Sequence, residues 1–186
     1  MAAEIIAILA SPRRGGNSEF LLRAAVGRFP SEKIKIIRTS SLKLSACEAC
    51  GWCDTRGECR IKDDFQKVSG DILAARAVVV ASPIYFYGLP SKFKALIDRS
   101  QCLWARKYLL GKQPAPLRPA YTILVGATKG AKLFDGALLT LKYFYDVYNL
   151  KSAGSALVRN ADGKKAVAAD KTAIRSAASL IKYLSK

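Results

Sequence analysis

The stretch that decides the fold is EIIAILASPRRGGNS, residues 4–18. An unbroken apolar run at 4–10 gives way to a loop with two adjacent glycines. Asn17 then opens a segment with apolar residues at Phe20, Leu21, Ala24, Ala25 and Phe29, spaced for a helix over 17–29. A continuous apolar run suits a strand covered on both faces. The unit is strand, tight loop, helix. Such a loop ends at a helix N-terminus, whose free N–H groups and partial positive charge attract a phosphate. Ser11, Asn17 and Ser18 offer hydroxyl and amide groups, Arg13 and Arg14 offer charge, and Gly15 and Gly16 let the backbone come close. The loop lacks both the GK[ST] ending of a Walker loop and the G-x-G-x-x-G fingerprint. A plain turn with an Asn or Ser cap is the competing reading.

The same alternation runs through the rest of the chain. Residues 33–38 (KIKIIR) suit an edge strand, 64–75 a helix, and 77–81 (AVVVA) a central strand. Pro90 begins a helix reaching about Trp104, since proline fits the first helical turn. A basic, irregular connection at 106–119 precedes a strand at 120–127, a helix at 133–148, a strand at 152–158 and a final amphipathic helix at 170–184. Five strands alternating with about five helices argue for an α/β, flavodoxin-like, doubly wound parallel sheet of order 2-1-3-4-5 with helices on both faces. The expectation is one domain over 1–186 with a cysteine-rich loop at about 42–62. In such folds ligands sit beyond the carboxyl ends of the strands, and every unusual loop of this chain lies at that edge.

Two further loops follow strands three and four. In SPIYFYGLPSKFKALIDR, residues 82–99, Tyr85, Phe86 and Tyr87 fall between two prolines. They can line a flat heteroaromatic ring, with Gly88 allowing close approach and backbone N–H groups after Pro83 bonding the ring's polar atoms. Aromatic clusters also pack under loops, which is the plainer reading. In VGATKGAKLFDG, residues 125–136, Thr128 and its neighbouring glycines either complete that pocket or form an ordinary strand-to-helix turn.

After strand two comes CEACGWCDTRGEC, with Cys47, Cys50, Cys53 and Cys59 inside thirteen residues. The spacing C-x2-C-x2-C-x5-C can gather four thiolates around one inorganic centre. Bacterial ferredoxins use a related run with a shorter last gap and a following proline; here Arg60 stands in that place. A zinc site prefers two separated C-x2-C knuckles, and disulfides suit small secreted chains, so both are weaker matches that stay open beside unrelated thiols. Trp52, within the run, either shields such a centre or simply packs. Cys102 lies outside the motif and reads as a small buried hydrophobe.

Composition narrows the function classes. Hydrophobic residues at 51% and charged residues at 24% are ordinary for a globular chain of 186 residues. No apolar run approaches the ~18 residues of a membrane helix, and MAAEIIAILA reads as a first strand rather than a signal peptide, which places the chain in the cytoplasm. A net charge of +17 calls for acidic partners or solubility. The basic residues are dispersed, and no helix-turn-helix, zinc-finger or aromatic nucleic-acid signature accompanies them, so neither nucleic acid nor membrane is expected. Histidine is absent, which excludes a histidine general base.

Together the three loops and the cysteine run resemble the iron–sulfur flavoproteins, a branch of the NADPH-dependent FMN reductase family. The resemblance rests on SPRRGGNS, SPIYFYGLPSKFKALIDR, the cysteine spacing, the following RIKDD, and KGAKLFDGALLTLKYFYDV. It implies that Ser11, Arg13, Asn17 and Ser18 hold the FMN phosphate. It further implies that Ser82, Pro83, Ile84, Tyr85, Phe86, Tyr87 and Gly88, with Thr128, contact the isoalloxazine. Cys47, Cys50, Cys53 and Cys59 would bind a 4Fe-4S cluster. The expected activity is that of an oxidoreductase exchanging electrons with an acidic carrier such as ferredoxin. The alternative is an NAD(P)H-dependent FMN or quinone reductase without a functional cluster. A homodimer or homotetramer is implied, with cluster and flavin sharing one rim of the sheet.

Overall fold

The computed structural model describes residues 4–112 and 115–185. Its sheet comprises β1 (Ile5–Leu9), β2 (Ile34–Arg38), β3 (Ala77–Pro83), β4 (Arg118–Val125) and β5 (Leu150–Val158), all parallel, in the order β2-β1-β3-β4-β5. The apolar runs are continuous because both faces are covered. Along β1 and β3 successive residues alternate between two cores. Ile6, Ile8, Val78 and Val80 face one, while Ile5, Ala7, Leu9, Val79 and Ala81 face the other.

The second core is closed by α1 (Asn17–Val26) and α7 (Lys171–Ser179), which contribute Leu21, Leu22, Ala25, Ala173 and Ala177. The first is closed by α3 (Asp64–Ala74), α4 (Ser91–Arg99), α5 (Gln101–Trp104) and α6 (Asp135–Val147), through Phe65, Ile72, Phe93, Leu96, Leu103, Leu141 and Phe144. Helices on both faces of a 2-1-3-4-5 sheet are the architecture expected from the alternation of periods.

The differences from the sequence reading lie at element ends. The helix starting after Pro90 is not one rod. It breaks at Ser100, whose Oγ donates to Leu96 O at 3.0 Å, resumes as α5, and continues as a π-helical turn, Ala105–Leu109. The first four residues of the connection read as irregular, 106–109, are therefore helical, and its residues 113 and 114 lie outside the described residues. The wider turn turns Arg106 toward Gly57 O (3.0 Å) and Lys107 toward Asp146 (2.9 Å), two tertiary bonds that local periodicity does not reveal. The last helix ends at Ser179 and is followed by a 3-10 turn, Lys182–Ser185.

Arg118, at the start of β4, joins three elements. Its Nη1 donates to Ile72 O, Leu73 O and Ala75 O at 2.8–2.9 Å, its Nη2 to Tyr148 O at 2.7 Å, and its Nε to Pro116 O at 3.0 Å. It thereby satisfies the last carbonyls of α3, which have no partner within the helix.

Candidate functional site

At the point where strand order reverses, β1 and β3 run side by side, with Leu9 paired to Ala81 and the Ala10 N–H bonded to Ala81 O at 2.9 Å. Their following loops must diverge there, leaving a crevice. A cavity of about 120 Å³ occupies it, lined by Ser11, Arg13, Gly16, Asn17 and Ser18 from one loop and by Pro83, Ile84 and Tyr85 from the other. The cap position of α1 is Gly16, and no side chain caps the helix, so its first N–H groups are available to a ligand. Ser11 and Ser18 are buried, and Ser11 Oγ accepts from the Arg13 N–H at 3.2 Å, which holds the bend of the loop. An uncapped helix start with buried hydroxyls in a small pocket fits a phosphate group.

Two residues that sequence reasoning passed over set the electrostatics. Glu19, in the first turn of α1, is buried; its carboxylate meets Arg38 at 2.6 Å and Arg23 at 2.8 Å and accepts from the Gly15 N–H at 3.0 Å. The hydrogen bond from Arg38, ahead of those from Arg23 and Gly15 and against the cost of burial, holds its pKa at about 2. Arg38 also donates to Ser11 O at 3.3 Å. A carboxylate beside an anion site is thus neutralised by the cation that fixes the loop.

Asn17 has a different task from the one read. Its Nδ2 donates to Ala161 O (3.2 Å) and Gly163 O (2.8 Å), and its Oδ1 accepts from the Val167 N–H at 3.4 Å. The side chain clasps the loop after β5, and its backbone N–H at the helix start is what remains for a ligand. That loop brings Ala161, Asp162 and Gly163 into the cavity wall, and only the Gly in ADG hinted at a turn there.

The aromatic segment forms a tight turn in which the N–H groups and carbonyls of Tyr85 and Gly88 bond one another at 2.9–3.0 Å. Both central residues are left-handed, Phe86 at φ 47° and Tyr87 at φ 61°. For bulky side chains this conformation costs about 1 kcal/mol or more each, and such turns ordinarily use Gly or Asn. All three aromatics project outward, Phe86 fully exposed. Tyr87 lies against the loop after β4. A Cβ on Gly136 would stand 2.9 Å from Tyr87 O, and one on Gly130 would stand 3.0 Å from the Tyr87 hydroxyl. Thr128 is exposed beside Gly130, with its carbonyl accepting from the Asn160 N–H at 3.1 Å. Ser82 is wholly buried, its hydroxyl turned onto Pro83 O at 2.8 Å. It shapes the strand end and does not face the cavity.

The cysteine loop is not wholly irregular: a short helix, α2 (Trp52–Arg56), sits inside it between Gly51 and Gly57, both left-handed. Gly57 also packs tightly, since a Cβ there would come within 3.1 Å of Leu110 Cδ1. Ala49 is left-handed as well (φ 50°), so the chain doubles back around Cys50. Cys47, Cys50, Cys53 and Cys59 all line one cavity of about 710 Å³, together with residues of α4, α5 and α6. Among the described residues, however, no group of three or more His, Cys, Asp or Glu side chains is gathered tightly enough to hold a metal ion. The donor set and shared cavity fit a thiolate-held centre in chemistry, and binding one requires the side chains to converge. Burial raises the Cys53 thiol above its ordinary range, aided by the neighbouring Asp54.

The cysteine cavity and the crevice pocket have no lining residue in common. The loop leaves the end of β2, and its helix α2 lies against α5 and the π-helical turn that follows it. Arg106 holds Gly57, and Arg99 holds its base. Trp52 is 45% exposed with the Arg56 guanidinium 5.4 Å from its ring centre, so it does not seal the thiols. Cys102 is buried as expected, its thiol pushed up to about 11 by burial first and by the nearby Cys59 and Cys53. Asp63 pairs with Arg99 at 2.8 Å. Although burial alone would raise its pKa, the bonds from Arg99 and from the Ser45 and Phe65 N–H groups keep its carboxyl below the usual range.

With this geometry, residues 3–152 match the NADPH-dependent FMN reductase family. The chain belongs to that family. It is 33% identical over 109 residues to an iron-sulfur flavoprotein of Archaeoglobus fulgidus, covering 58% of this chain and 50% of that protein. An iron-sulfur flavoprotein of Methanosarcina thermophila is also 33% identical over 109 residues, covering 58% and 57%. A putative NAD(P)H-dependent FMN-containing oxidoreductase of Bacillus subtilis is 30% identical over 125 residues, covering 66% of each. The chain spans about half the length of the first of these relatives. In fold, it superposes on the Trp repressor binding protein from Bacillus subtilis with a TM-score of 0.70 at 22% identity, covering 96% of this chain and 97% of that one. It superposes on an FMN-dependent NADH-azoreductase from Bacillus anthracis, solved in complex with FMN, with a TM-score of 0.67 at 14% identity, covering 98% and 99%. Among the described residues no helix is long and apolar enough to cross a membrane.

Proposed function

We propose that this chain is an FMN-binding iron–sulfur flavoprotein that exchanges electrons with an acidic one-electron carrier of the ferredoxin kind. One observation carries the flavin part: the uncapped start of α1, with buried Ser11 and Ser18, meets Pro83, Ile84 and Tyr85 in a single cavity at the strand-order reversal. In this reading Ser11, Arg13, Ser18 and the first N–H groups of α1, including that of Asn17, hold the phosphate. The turn from Pro83 to Gly88, with Thr128, borders the ring. The left-handed pair Phe86 and Tyr87 fixes the backbone N–H groups in advance of binding.

Cys47, Cys50, Cys53 and Cys59 are assigned to a 4Fe-4S cluster. The spacing, the shared cavity and the backbone turned around Cys50 support that assignment, as do relatives named iron-sulfur flavoprotein. Bound FMN supplies the interchange of two-electron and one-electron transfer, and a cluster supplies one-electron exchange. The charge of +17 supports an acidic partner through steering. A homodimer or homotetramer fits the exposed aromatics Tyr85, Phe86 and Tyr87. A second reading, an NAD(P)H-dependent FMN or quinone reductase without a cluster, is favoured by the similarity to a putative NAD(P)H-dependent FMN-containing oxidoreductase.

Anaerobic purification followed by a visible spectrum and iron, sulfide and zinc analysis tests the proposal. A flavin spectrum with about four irons per chain is expected. Flavin with zinc or without metal refutes the cluster, and rapid bleaching by NADPH in such a preparation selects the second reading. Protein that neither retains nor rebinds FMN defeats both. Reduction by ferredoxin that is indifferent to ionic strength removes the role given to the charge.

A further inference from the structure

We propose that Arg99, at the end of α4, is the positioning residue of the cysteine site: it clasps both ends of the cysteine loop and directs its Nε–H at Cys59 Sγ. The inference rests on the cluster reading above for its second half only.

Arg99 is 1% exposed. A guanidinium has five N–H donors, and the contacts of this one all go to the cysteine loop and its anchor. Nη1 donates to Ser45 O at 3.0 Å and Asp63 Oδ2 at 2.8 Å, Nη2 to Ile61 O at 2.9 Å and Asp63 Oδ1 at 3.4 Å, and Nε to Cys59 Sγ at 3.2 Å. The Phe65 ring covers the guanidinium at 4.9 Å. Ser45 precedes the first cysteine and Ile61 follows the last, so one side chain joins the entry and exit of the loop. Asp63, which answers its charge, also caps α3 by accepting from the Phe65 N–H at 2.9 Å. The clasp is therefore anchored to the core.

A loop clasp alone is satisfied by carbonyls. The bond to sulfur points further, because a neutral thiol is a weak acceptor. With Asp63 already answering the charge, the Nε–H aimed at Cys59 is a further donor, and a sulfur that carries negative charge, as a metal-bound thiolate does, accepts it more strongly than a neutral thiol. Of the four motif cysteines, Cys59 is the one so held. It is thus the fixed corner of the site, and the other three are carried on the segment that must close toward it. Hydrogen bonds to sulfur and local positive charge raise the potential of an iron–sulfur centre, so Arg99 favours the reduced form.

The test uses the full chain as wild type, Arg99→Lys and Arg99→Met. In iron-free protein, amide hydrogen exchange over residues 45–62 is followed by mass spectrometry. At least tenfold faster exchange is expected in Arg99→Lys, which keeps the charge but cannot bridge; unchanged exchange overturns the clasp. In iron-loaded protein, a redox titration is expected to give potentials falling from wild type to Arg99→Lys to Arg99→Met. A tenfold loss of preference for the reduced form corresponds to about 59 mV for one electron. Equal potentials at equal iron content overturn the bond to Cys59, and a purely structural role would not move them. If Arg99→Met does not fold, Arg99→Lys decides both parts. Wild-type protein that binds no iron under any reconstitution refutes the cluster reading and the sulfur bond with it, whereas the clasp still stands or falls on exchange.

Discussion

Glu19 Oε2 and the Arg38 guanidinium lie 2.6 Å apart, joining the first turn of α1 to the last residue of β2. With its folded pKa held at about 2 against an ordinary 4.5, Glu19 contributes stability that is fully present above about pH 4.5. That contribution fades as the pH falls through the interval toward 2. Glu19→Gln is expected to lose about 1–3 kcal/mol at neutral pH, from the buried donors left without their charged acceptor. It should also show a flatter stability profile between pH 4.5 and 2 than the wild type. Urea unfolding across that range checks both, and parallel profiles for the two proteins would contradict the assignment.

The phosphate role of the α1 loop predicts a difference between two ligands. Ser18→Ala is expected to weaken FMN binding about tenfold, equivalent to about 1.4 kcal/mol, and to leave riboflavin binding unchanged. Fluorescence titration of the apoprotein with each flavin measures this. Equal losses for both would move Ser18 from the phosphate to the ring or to the fold.

At Phe86 the expectation is a trade. Asn tolerates the left-handed region that Phe86 occupies at φ 47°, so Phe86→Asn should raise stability of the flavin-free chain by about 1 kcal/mol while weakening flavin binding. Thermal unfolding with and without FMN shows whether the ligand's stabilising increment shrinks as the baseline rises.

Arg118→Met removes the donor shared by five carbonyls at the end of α3, the start of β4 and the end of α6. A loss of about 2–3 kcal/mol is expected, since hydrogen bonds from a charged donor are the stronger kind and their acceptors are left half-buried. Arg118→Lys should recover only part of it, because an ammonium cannot span all of them. Chemical denaturation is the measurement.

The sheet order and both helical layers were legible in the sequence because they rest on local periods, unbroken at residues 4–10 and 77–81 and helical after Asn17. The crevice loops were legible for the same reason: SPRRGG and SPIYFYG each follow a strand that the pattern places beside the other. What the pattern concealed is set by partners distant in sequence. Arg99 reads as one more charge on an amphipathic helix until the loop 40 residues earlier folds over it. Glu19 and Arg38 are unremarkable until β2 lies beside β1. Asn17 has the chemistry of a phosphate donor, and only the approach of residues 161–167 commits its amide elsewhere. The π-helical turn after Trp104 likewise depends on Gly57 and Asp146 receiving Arg106 and Lys107.

Among the described residues, the crevice pocket and the cysteine cavity have separate walls, so the two sites are open to independent mutation. A substitution at any of the four thiols changes no side chain that lines the crevice pocket, and a substitution in the crevice lining changes none of the thiols.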